Sequence, residues 1–165
     1  AVLGVDDVLF LSYDDGQLQP TLELRRDLVR AIRCYRPEAV LTSDPTRLLV
    51  GDRYINHPDH RAAGQAALDA VAPASEMPLL WPDLGDPHKV HRVYVYGNDE
   101  PNVWVDIGET IGTKIEALKK HASQMGDWDP TQRITEWSAH TGKDKDLAHA
   151  ESFRVIILVR PDSEE

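Results

Sequence analysis

The 165-residue chain has a single cysteine, Cys34, so it has no internal disulfide. Cys34 falls within a helical pattern and is expected as a small buried hydrophobe rather than a nucleophile. Basic residues are outnumbered, 18 Lys and Arg against 28 Asp and Glu, for a net charge of −10. This excludes a non-specific nucleic-acid binder, which needs basic surface to neutralise phosphates. No apolar run approaches the length that spans a bilayer, and no signal-peptide pattern is visible, so a cytoplasmic protein is expected. Internal repeats and low-complexity tracts are also lacking. What is present is ordinary globular composition, 41% hydrophobic and 28% charged. The length suits one domain, residues 1–165, with a core of its own.

Read in order, Val8-Leu9-Phe10-Leu11 has the length and composition of a buried strand, closed by the turn-forming Tyr13-Asp14-Asp15-Gly16. Thr21 is a candidate N-cap for a helix in which Leu24, Leu28, Ile32 and Tyr35 recur at helical spacing before Pro37 stops it. Ala39 to Thr42 is the next strand, giving a β-α-β unit whose strands should be parallel. The connection from Asp44 to His57 is long for a strand-to-helix loop, and such loops are often functional. A helix is expected from Pro58 to about Val71, then an irregular, proline-punctuated segment in which Trp81 could line a rim. Val90–Tyr96 and Val103–Ile107 read as strands, and Ile111, Ile115, Leu118 and Ala122 mark the longest helix, with Glu116 and Lys120 paired along it. Pro130 opens a further helix through Trp137, while residues 153–159 fit either a strand or a helix. Trp104 and Trp137 are expected in the core, and His140 and His149 on the surface.

The stretch that carries chemistry is Asn56-His57-Pro58-Asp59-His60-Arg61-Ala62-Ala63-Gly64. Pro58 suits the first helical position, leaving His57 at the mouth of the helix with Asp59 and His60 in its first turn. Neutral imidazole is the commonest metal ligand, and a nearby carboxylate can fix its tautomer. The plainer reading is a helix start with Asp59 against the positive helix end and solvated histidines. Two histidines bracketing Pro-Asp, behind a strand ending in Ser43-Asp44-Pro45, favour a site, since open α/β sheets bind ligands at the carboxyl ends of their strands.

His57-Pro58-Asp59-His60-Arg61-Ala62-Ala63-Gly64 resembles the second zinc motif of the LmbE-like, or PIG-L-type, N-acetylglucosaminyl deacetylases. The resemblance implies a Rossmann-like α/β three-layer sandwich with a mostly parallel sheet. It implies a zinc-dependent hydrolase that removes the acetyl group of an N-acetyl amino sugar, with another divalent metal as the alternative. His60 would be a zinc ligand. His57, as imidazolium, would stabilise the oxyanion or protonate the leaving amine, and Asp59 would orient a histidine. Asp15 would contact the sugar. A homo-oligomer is compatible with this reading.

The family's N-terminal His-Pro-Asp-Asp motif, which supplies two zinc ligands and the general base, has no counterpart here. The abrupt opening Ala1-Val2-Leu3-Gly4 leads to the expectation that a βα unit is missing upstream. Catalytic zinc needs three protein ligands, so the chain alone is expected to be inactive. The rival readings are a metal-free sugar-binding module of the same fold, and a site completed by a partner chain. A metallohydrolase built on His88 and His91 is a third, disfavoured because they sit at the entry to a strand.

Overall fold

Thr21 begins the first helix by a local device: its Oγ1 accepts the Leu24 N–H at 3.2 Å, as an N-cap should. Helix α1 runs Leu22–Tyr35 and ends at Arg36 in the left-handed region, one residue before Pro37. The computed structural model describes residues 2–160, in two compact units: 11–102 with 153–160, and 2–10 with 103–152.

In the larger unit, α1 is followed by β1 (Ala39–Ser43), the short hairpin β2 (Leu49–Val50) and β3 (Tyr54–Ile55), and α2 (Pro58–Val71). β4 (Arg92–Tyr96) then pairs in parallel with β1, Ala39 opposite Arg92 and Ser43 opposite Tyr96. β6 (Ala150–Ile157), which makes the ambiguous segment strand as far as Ile157, pairs with β4 in the opposite sense, Arg92 opposite Ile157 and Tyr96 opposite Phe153. The sheet is therefore mixed, where a mostly parallel one was expected. Apolar composition signals burial but carries no information about strand direction.

Val8-Leu9-Phe10-Leu11 forms no strand, and Val8, Leu9 and Phe10 are exposed. A strand exists through its ladder, and this run has the composition without a ladder among the described residues. The parallel partner of β1 is β4 instead.

The core joins Val29 and Ile32 of α1, Ala70 and Val71 of α2, and Val90, Val93 and Val95 around β4. Segment 73–87 contributes Leu80, Trp81 and Leu84 to it, so Trp81 packs inward rather than lining a rim. Arg33 holds that segment. It is 4% exposed, and its guanidinium donates to the carbonyls of Ala74, Ser75, Met77, Leu80, Trp81 and Gly85. Its neighbour Cys34 is exposed, contrary to expectation: one residue is 100° around a helix, and the inward position belongs to Arg33.

In the smaller unit, β5 spans Val103–Asp106, and the expected long helix is two, α3 (Ile111–Lys119) and α4 (Ala122–Met125), separated where His121 leaves helical geometry with ψ 55°. Both α1 and α2 are longer. Glu116 meets Lys119 at 3.6 Å, an i,i+3 contact in place of the expected pairing with Lys120. α5 covers Thr131–Gly142. Trp137 on α5 is 56% exposed, its ring covered by the Arg133 guanidinium at 4.3 Å instead of by the core. Trp104 is half-buried beneath Lys145. His140 is exposed as expected, whereas His149 is half-buried against Ser138 Oγ at 2.9 Å. Among the described residues, no helix is long and apolar enough to cross a membrane.

Candidate active site at the start of the second helix

The strand β1 ends at Ser43 and Asp44, both buried, and the first two turns of α2 lie against that end. Gly64 makes the approach possible. A Cβ there would stand 2.4 Å from the Ser43 carbonyl oxygen and 3.2 Å from the Pro45 nitrogen. Ser43 Oγ donates to the His60 carbonyl, fastening strand to helix a second time.

His57 is the N-cap of α2 and Pro58 its first residue, as the sequence predicts. His57 Nδ1 accepts the Asp59 N–H at 3.2 Å, an imidazole serving where Ser or Asp usually caps. This places the ring's own proton on Nε2. Asp59 turns its carboxylate to a distant turn, accepting the Gly16 N–H at 2.6 Å and the Leu18 N–H at 3.2 Å. Its closest approach to His57 is 3.9 Å to Nδ1, outside hydrogen-bond range. Gly16, at φ +81°, permits the turn that brings Asp15 to this place. Asp15, His57 and Asp59 thus offer donor atoms within 4.8 Å of one another, the one such group of three among the described residues.

His60 is exposed, its ring 5.3 Å from that of His57 between centroids. It lines a cavity of about 220 Å³ with Ser43, Asp44, Arg47, Asn56 and Tyr96 among its walls. Asp44 is 5% exposed. Burial pushes its carboxyl up, but hydrogen bonds from the Thr46 hydroxyl and N–H, from Asn98 and from the Arg47 N–H outweigh this and hold it below the ordinary carboxylate range. Arg47, Asn98 and Tyr96 were not singled out from sequence; the length of the 44–57 connection was the available signal.

His88 and His91 do not form a second centre. His88 Nε2 is 2.8 Å from the Pro37 carbonyl, and His91 lies beside Glu38. His121 is exposed at the start of α4.

These residues alone do not fit a catalytic zinc. A catalytic zinc needs three protein ligands with donor atoms free to face it. Both Asp59 oxygens and His57 Nδ1 are already engaged, and His60 is not in the group.

Residues 1–71 match the family described as PIG-L: GlcNAc-PI de-N-acetylase. The chain is 33% identical over 163 residues to a diacetylchitobiose deacetylase of Thermococcus kodakarensis, covering 94% of this chain and 58% of that protein. It is 30% identical over 133 residues to a probable N-acetyl-α-D-glucosaminyl L-malate deacetylase of Bacillus anthracis, covering 75% of this chain and 51% of the relative. Among solved structures, the N,N′-diacetylchitobiose deacetylase of Pyrococcus horikoshii, complexed with an inhibitor, superposes with a TM-score of 0.82 at 26% identity, over 98% of this chain and 63% of that one. The chain thus spans little more than half the length of the curated relatives it matches. Residues 1–71, which hold Asp15 and the whole His57–Gly64 motif, match the PIG-L, or LmbE-like, deacetylase family, and the chain is similar to diacetylchitobiose deacetylases along nearly all of its length.

Proposed function

We propose that the protein of which these residues form part hydrolyses the acetamide of an N-acetylglucosamine-type sugar, releasing acetate and the free amine. The observation that carries this reading is the pairing of His57 at the N-cap with His60 in the first turn of α2, beside a cavity at the end of β1, inside the span that matches the family. His60 is assigned to the metal, zinc by family resemblance, and the remaining ligands and the general base are assigned to residues outside these 165. No step is routed through that ion here.

Asp59 fixes the turn that carries Asp15, and Asp15 is assigned to a sugar hydroxyl. Water's oxygen bonds to the carbonyl carbon, the C–N bond breaks, and the amine departs with a proton. His57 is assigned to the oxygen that becomes negative, or to the departing nitrogen. With Nδ1 accepting the Asp59 N–H, Nε2 is the ring nitrogen left to donate. Removing one such donor lowers kcat by roughly 10²–10³-fold.

The test is acetate release and metal content in the natural protein. His60→Ala should lose metal and activity together, while His57→Ala should keep its metal and lose turnover. Metal loss in the His57 variant would refute this division of roles. The incomplete ligand set favours one second reading, a sugar-binding module without chemistry. It predicts saturable sugar binding with neither metal nor acetate release.

A further inference from the structure

The cavity beside His60 has one arginine in its wall, and each nitrogen of its guanidinium is either already engaged or buried. Arg47 Nη1 donates to the Gly97 carbonyl at 2.8 Å, and Nη2 meets Asp99 Oδ1 at 2.9 Å, so the end-on pair is spent on the 97–99 loop. Nε, needed for the side-on grip, is buried without a partner and out of reach of solute. Arginine recognises carboxylate and phosphate through one or other of these forks. Asp44 shares the wall and adds a negative charge held by Thr46 and Asn98. With Arg47 matched by Asp99, the balance of these three groups is negative. The other walls include Tyr54, Tyr96 and Asn56, the last with its amide N–H given to the Arg47 carbonyl at 2.9 Å. Aromatic faces and amides suit a ring bearing hydroxyls.

We propose that the Arg47–Asp99 pair makes this cavity select an uncharged, polyhydroxyl group next to the N-acetylglucosamine unit and reject conjugates whose neighbouring group is a carboxylate or phosphate. This rests on the deacetylase reading above and names its substrate class. The relatives' names include both kinds, a chitobiose and a malate conjugate, so family membership does not choose between them. Rejection follows from an anion meeting Asp44 with no free guanidinium fork to offset it, the repulsive half of specificity.

The natural enzyme is assayed for acetate release from N,N′-diacetylchitobiose and from N-acetylglucosaminyl malate. The expected kcat/KM favours the neutral disaccharide by about tenfold or more. Asp99→Ala frees Nη2 and should narrow that ratio at least about threefold, through better use of the malate conjugate. Asp99→Asn, which keeps the side-chain shape and removes the charge, should move it the same way. Preference for malate, or a ratio unmoved in both variants, overturns the proposal and leaves the deacetylase reading intact. Turnover of neither substrate by folded, metal-loaded enzyme overturns both.

Discussion

Two long irregular connections, 73–87 after α2 and 44–57 before it, are held in opposite ways. The first packs Leu80, Trp81 and Leu84 onto the core and gathers its carbonyls around one buried guanidinium. The second leaves Leu48, Leu49 and Ile55 exposed and is stitched by short polar contacts, Asp44 with Thr46 and Asn98, Asn56 with the Arg47 carbonyl. A connection that closes on a single cation has no room for a ligand. A connection stitched along its rim keeps a cavity. The chain thus separates a loop that completes the scaffold from one that leaves a cavity beside it.

The contrast can be broken hardest at Arg33. Arg33→Ala should cost about 3–5 kcal/mol in urea unfolding, because it strands several buried carbonyls at once. Arg33→Lys, with three donors on a compact head, should recover only part of that. A loss below about 1 kcal/mol for the alanine variant would mean that segment 73–87 holds itself. Gly64→Ala comes next, at about 1–3 kcal/mol. Alanine favours helix over glycine by about 1 kcal/mol, but its Cβ would meet the Ser43 carbonyl, backbone that cannot swing aside. Thermal unfolding that rises for this variant would contradict the packing of α2 on β1.

Asp44→Asn should have the smallest effect, about 1–2 kcal/mol at pH 7, and one that depends on pH. The folded carboxyl is held below its ordinary value. Its contribution is therefore present above the unfolded pKa, near pH 4, and lost as pH falls through the folded value. The gap between wild type and Asp44→Asn in denaturant midpoint should narrow from pH 6 to pH 3. A gap constant over that range would mean that the charge of Asp44 contributes nothing beyond shape.

What could be read from sequence follows from how local each determinant is. Helix α1 is announced by Thr21 and stopped before Pro37, and α2 by Pro58, so their starts and ends are legible within a few residues. Val8–Leu11 has strand composition but no ladder among the described residues, and a ladder is a property of two segments. The break between α3 and α4 has no proline or glycine to mark it. At the site, His57, Asp59 and His60 are neighbours in sequence and were legible, and Asp15 came with the family resemblance. Arg47 with Gly97 and Asp99, or Asp44 with Asn98, joins residues about fifty apart, a distance no pattern within one segment can span.

The carboxylate of Asp59 holds the N–H groups of both Gly16 and Leu18 while its own N–H caps onto His57. The turn bearing Asp15 and the helix mouth bearing His57 and His60 therefore share one degree of freedom. Drawing the turn outward must either break two charge-assisted bonds or drag the first turn of α2 with it. Widening this site and keeping its histidines in place are not independent adjustments.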